Sequence, residues 1–122
     1  MPINLVLVDD HPLVLNGLQQ LFAMEANINV LASCSDGEQA LQAVMLYQPD
    51  ILVLDLKMPG KGGLAVLREL QAEKLPTKVV LLTAALDEDE VLEAIRLGVR
   101  GVVLKEMAPR LLIQCINKVY AG

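Results

Sequence analysis

The chain is 122 residues long, enough for one domain whose core needs no disulfide or metal staple. Hydrophobic residues make up 54% and charged residues 20%, which excludes disorder; a net charge of −5 with no basic run excludes a surface that grips a nucleic-acid backbone by itself. Aromatics are limited to Phe22, Tyr47 and Tyr120, so the core is aliphatic and platforms for stacking bases are nearly absent.

The first element is the apolar run "INLVLV" (3–8), suited to a buried strand and ending abruptly in Asp9 and Asp10. The N-terminus has no basic region before a long apolar stretch, and no apolar run approaches about 18 residues. A cytoplasmic protein with no membrane association is expected. Pro12 suits the first turn of a helix, and Val14, Leu18, Leu21 and Phe22 form its apolar stripe. "INVLASC" (28–34) is a more mixed run that suits an edge strand. Ser35 and Glu38 have capping-box spacing for a second helix.

"ILVLDL" (51–56) is the third strand and carries Asp55 near its end, followed by the turn-like "MPGKGG". "KVVLLTA" (78–84) is the fourth and ends at Thr83. Asp87 with Glu90 again has capping-box spacing, ahead of a stripe of Val91, Ala94 and Ile95 that Gly98 should stop. "GVVLK" (101–105) is the fifth strand and delivers Lys105. Pro109 opens the last helix, whose stripe is Leu112, Cys115, Ile116 and Val119. Leu111, Ile113 and Tyr120 widen that stripe. They fit either a snug final helix or a contact with a second copy of the chain or another domain. Cys34 and Cys115 sit in apolar surroundings without metal-ligand spacing and read as free thiols.

The fold class is therefore α/β: five βα units, doubly wound, with a flavodoxin-like parallel sheet in strand order 2-1-3-4-5 and helices on both faces. No composition break divides residues 1–122, so one domain is expected. Ligands in such sheets bind beyond the carboxyl ends of the strands, where the order reverses between the first and third. Asp9, Asp10, Asp55, Thr83 and Lys105 all fall at that edge.

Three carboxylates a few ångströms apart need a cation, and an all-oxygen set suits a hard divalent ion such as Mg²⁺, with Mn²⁺ as its substitute. With Mg²⁺ and the Lys105 ammonium, the three carboxylate charges are neutralised. A carboxylate can also attack phosphorus to give an aspartyl phosphate, whose oxygens a metal, a lysine and a hydroxyl would hold. Taken singly, each residue has a plainer explanation. Asp9 or Asp10 could cap the first helix, Asp55 could start a turn, Thr83 could simply end a strand, and Lys105 with Glu106 could be a solvated pair. Their coincidence at equivalent strand ends favours a shared site.

"LVDDH", "DILVLDLKMPG", "LLTA" and "GVVLKE" occur in order and with fitting spacing across essentially the whole chain. At these residues the sequence resembles the receiver domain of two-component response regulators. "DDHPLVLNGLQQLF", "MPGKGG" and "INKVYAG" resemble its LuxR/NarL-type subfamily more narrowly. The resemblance implies a signalling domain rather than an enzyme, with Asp55 accepting a phosphoryl group from a sensor histidine kinase. It implies metal binding by Asp9, Asp10 (the favoured direct ligand), Asp55 and the backbone carbonyl of Lys57, with Thr83 and Lys105 contacting the phosphoryl oxygens. Lys57 and Ala85 stand where the family controls the lifetime of that group.

It further implies a C-terminal helix-turn-helix domain in a full-length protein. That domain is absent from these 122 residues, so DNA would be contacted only through it, and the last helix ends where a linker would begin. Homodimerisation through the receiver is a further expectation. Three departures stand out. Val102 replaces the family's switch aromatic, Glu106 replaces the proline common after the lysine, and Gly62 and Ala65 replace acids. Readings from other classes are a phosphatase of small molecules using the same Mg²⁺–Asp pocket, an FMN carrier, and an interaction module that is never phosphorylated. Lys57 stands where such phosphatases usually have a second acid. The shortage of aromatics and the lack of a Ser/Thr-rich phosphate loop argue against flavin.

Overall fold

The computed structural model describes residues 2–58, 60–84, 87–107 and 109–122. Strands β1 (Ile3–Val8), β2 (Ile28–Cys34), β3 (Ile51–Asp55), β4 (Lys78–Thr83) and β5 (Gly101–Leu104) alternate with helices. The helices are α1 (Pro12–Ala23), α2 (Gly37–Tyr47), α3 (Gly63–Ala72), α4 (Glu88–Arg96) and α5 (Arg110–Ala121). A short 3-10 turn, Lys105–Met107, precedes α5. All strand pairs are parallel and the order is β2-β1-β3-β4-β5, as the sequence pattern predicts. Parallel neighbours require a crossover on one face or the other, and the helices supply it.

The core has two layers because side chains alternate across each strand. Leu5, Leu7, Ile51, Val53, Val80 and Leu82 pack on one face against Leu18 and Phe22 of α1 and Leu112 and Ile116 of α5. Val6, Val8, Leu52, Leu54 and Leu81 pack on the other against α2, α3 and Ala94 of α4. The three inner strands are covered on both sides, which is why they read as unbroken apolar runs. Edge strand β2 is only partly buried along most of its length.

Local details depart from expectation in three places. Asp36, not Ser35, caps α2: its carboxylate accepts the Gln39 N–H at 2.8 Å, and Gln39 Oε1 reaches back to the Ser35 N–H at 3.0 Å. Aspartate is as good a cap as serine, so the box closes one residue later. Glu38 is left to pair with Lys61 at 3.0 Å. Pro109 is the residue before α5 rather than its first. On α4 the expected stripe narrows: Ala94 is buried, but Ile95 is 52% exposed and Leu92 also faces outward. Gly98 follows α4 at φ +96°, as a helix stop should.

On α5, Leu112 and Ile116 are buried, Ile113, Cys115 and Val119 are partly covered, and Leu111 and Tyr120 are exposed. Both cysteines are free; burial raises the thiol pKa of each, so neither is an activated nucleophile. No helix among the described residues is long and apolar enough to cross a membrane.

Candidate functional site

Of the polar residues singled out from the sequence, Asp9, Asp10, Asp55 and Lys105 meet at the carboxyl edge of the sheet, where β1 adjoins β3, and Thr83 ends the next strand, β4. Asp9 follows β1 directly and is 1% exposed; its Oδ1 accepts the backbone N–H of His11 at 2.9 Å. Asp55 is the last residue of β3 and is 3% exposed. Thr83 ends β4, buried, in register with Leu104 of β5. Lys105 comes one residue after β5, in the 3-10 turn rather than the strand.

The Lys105 ammonium lies 2.8 Å from Asp9 Oδ2 and 3.2 Å from Asp55 Oδ2, so the solvated pair with Glu106 is not what forms. Asp10 stands partly exposed beside them. The Lys57 N–H is directed at Asp55 Oδ1 across a long 3.4 Å. Its ammonium instead pairs with Glu90 of α4 at 3.5 Å, outside the acidic cluster. Ala85 lies outside the described residues.

Gly63 makes part of this arrangement feasible. A Cβ there would sit 2.7 Å from the carbonyl oxygen of Asp55 and 2.9 Å from Leu56 Cα, so the start of α3 can approach the acidic strand end only without a side chain.

The electrostatics are strained without a cation. Burial, then repulsion from Asp9, pushes the Asp55 carboxyl up to about 6, and Lys105 only partly opposes this. Burial alone would lower the Lys105 ammonium. Hydrogen bonding and charge from Asp9 and Asp55 outweigh it, and the ammonium is held above the ordinary lysine value. Asp9 Oδ2 is buried against the Lys105 ammonium at 2.8 Å, and Asp10 Oδ1 is a buried oxygen without a hydrogen bond. His11 Nδ1 stands 3.1 Å from that Asp10 oxygen without the alignment of a hydrogen bond. A carboxylate oxygen left open among other acids is what a divalent cation requires. Ligand atoms of Asp9, Asp10, His11 and Asp55 all lie within 4.8 Å of one another.

Residues 5–117 match the family model described as response regulator receiver domain. The chain belongs to the response regulator receiver family. It is 35% identical to the nitrate/nitrite response regulator protein NarL of Escherichia coli (strain K12), over 99% of this chain and 56% of that one. It superposes with TM-score 0.92 on a DNA-binding response regulator of the LuxR family from Staphylococcus aureus, 30% identical, covering 97% of this receiver and 98% of that chain. A two-component response regulator of the LuxR family from Aurantimonas sp. SI85-9A1 gives TM-score 0.92 at 30% identity, over 100% of this receiver and 87% of that chain. The receiver spans about half the length of the curated relatives it matches.

It is thus a two-component receiver of the NarL/LuxR type, a signalling domain and not a catalytic enzyme. The cluster of Asp9, Asp10 and Asp55 fits the typical metal site of a receiver.

Two neighbours of the site escaped the sequence pattern. His11 enters the cluster because it sits at the N-cap of α1, immediately after the acidic pair. Glu90 reaches Lys57 from another element, a pairing that no spacing rule connects.

Proposed function

We propose that this receiver accepts a phosphoryl group on Asp55 from the phosphohistidine of a sensor kinase and, by changing conformation, controls transcription through a LuxR-type helix-turn-helix domain. The observation that carries the reading is a buried acceptor carboxylate held 3.2 Å from a lysine ammonium and clustered with two further acids. Asp10, Asp55 and the Lys57 carbonyl would hold Mg²⁺ (or Mn²⁺), with Asp9 beside them. When bound, that ion supplies positive charge against the carboxylates and the incoming phosphoryl oxygens.

The chain's own residues do the rest. The Asp55 carboxylate attacks phosphorus in line, an O–P bond forms, and the P–N bond breaks with its electron pair passing to the imidazole, which is then protonated. Lys105, already at the acceptor oxygen, neutralises charge on the transferred group, and the Thr83 hydroxyl at the end of β4 donates to it. Val102, packed against the face covered by α2, α3 and α4, has no ring to swing, so the loop after Thr83 carries the change. A small-molecule phosphatase is disfavoured because Lys57, not a second acid, stands two residues beyond Asp55. Intact mass after exposure to acetyl phosphate and Mg²⁺ tests the reading. The wild type should gain one phosphoryl group and Asp55→Asn none; an unmodified wild type, or an equally modified variant, overturns it.

A further inference from the structure

His11 has no part in the reaction just described, yet its ring is turned into the acidic cluster. Its Nδ1 lies 2.9 Å from Asp9 Oδ1, 3.1 Å from Asp10 Oδ1 and 3.3 Å from Lys105 Nζ. One nitrogen cannot satisfy all three. If Nδ1 carries the proton, it donates to a carboxylate but points a donor at an ammonium. If it does not, it accepts from Lys105 while its lone pair faces two carboxylate oxygens. In either tautomer a contact is left mismatched.

A dication at the shared point removes the conflict, since the lone pair and both carboxylates would then be attracted to one centre. The spacing agrees. Ligands about 2.1 Å from an ion and at right angles to one another are about 3.0 Å apart. The oxygens also divide cleanly. Lys105 takes Oδ2 of Asp9 and of Asp55, while Asp9 Oδ1 and the buried, unbonded Asp10 Oδ1 face the imidazole. The backbone N–H of His11, bonded to Asp9 Oδ1 at 2.9 Å, holds the residue in place.

We propose that His11 Nδ1 is a further ligand of the acidic site, biasing it toward divalent ions that prefer imidazole, such as Co²⁺, Ni²⁺ and Zn²⁺, relative to Mg²⁺. The proposal rests on the metal-site reading above. Carboxylates alone rank these ions above Mg²⁺ to some degree; the imidazole adds an increment that Mg²⁺, a poor partner for nitrogen, does not share. A transition ion bound there would occupy the position needed for Mg²⁺, tying phosphorylation to the supply of both metals.

The test uses untagged, metal-free protein, in which His11 is the only histidine. Calorimetric titration with Mg²⁺ and with Ni²⁺ gives an affinity ratio for the wild type and for His11→Ala. The ratio should fall by about tenfold or more in the variant, mostly through Ni²⁺. The ring is 61% exposed, so the substitution leaves the core untouched. A second measurement needs no variant: the single Nδ1 resonance in ¹⁵N spectra should shift on adding Zn²⁺ and stay nearly still with Mg²⁺. An unchanged ratio, or an Nδ1 signal indifferent to Zn²⁺, overturns the proposal while the carboxylate site stands. Failure of the wild type to bind any of these ions overturns both.

Discussion

Asp55 is a carboxylate whose surroundings disfavour its ionised form. Its carboxyl is pushed up to about 6 by burial and by Asp9, against about 3.9 for an aspartate in an unfolded chain. Between those values the folded protein holds a proton that the unfolded chain has released. The stability Asp55 contributes is therefore full below about pH 4 and is lost as pH rises through about 6. In metal-free protein, Asp55→Asn should remove this slope and raise stability at pH 7 by about 1–3 kcal/mol. Denaturant melts across the pH range check it, and a variant less stable than the wild type at pH 7 would contradict it. Mg²⁺ should stabilise the wild type more than the variant. The meeting of Asp9, Asp10, Asp55 and Lys105, with Thr83 at the neighbouring strand end, was readable in the sequence because strand ends in a parallel sheet share an edge. His11 was not, since a residue just before a helix-opening proline reads equally well as an ordinary cap.

At the level of elements, apolar runs marked the strands to within a residue, whereas helix faces were read less well. Ile95 lies at the spacing of a buried stripe, yet α4 touches the sheet mainly through Ala94, so a small residue set the contact and the larger one stayed out. The cap of α2 shifted because Ser35 and Asp36 offer competing boxes a residue apart. The contact between α5 and β5 depends on a vacancy that no periodicity displays. A Cβ on Gly101 would overlap Cys115 Sγ and touch Val119 at 3.5 Å. Gly101→Ala should destabilise the fold by about 1–3 kcal/mol as an overpacking change. In a Cys115→Ala background the same substitution should cost clearly less. Equal penalties in the two backgrounds, measured by urea unfolding, would show that the sulfur is not what Gly101 makes room for.

Across the whole molecule, anchoring is uneven. β1 and β3 lie inside the sheet with both faces buried, while α4 has one buried residue and two large apolar residues in solvent. Amide exchange should therefore be slowest in the inner strands and fastest, among the helices, in α4. A phosphoryl analogue at Asp55 should change exchange around the end of β4 and the start of α4. Thr83→Ala should abolish that change and Val102→Ala should keep it; the reverse pattern would assign the switch to β5. The amine that offsets the acids arrives last. Asp9 and Lys105 come from opposite ends of the chain yet meet at 2.8 Å. During synthesis the ribosome releases the acidic pair early and the lysine only after nearly all of the domain has been made. A nascent receiver thus carries an uncompensated anionic notch until its final strand docks.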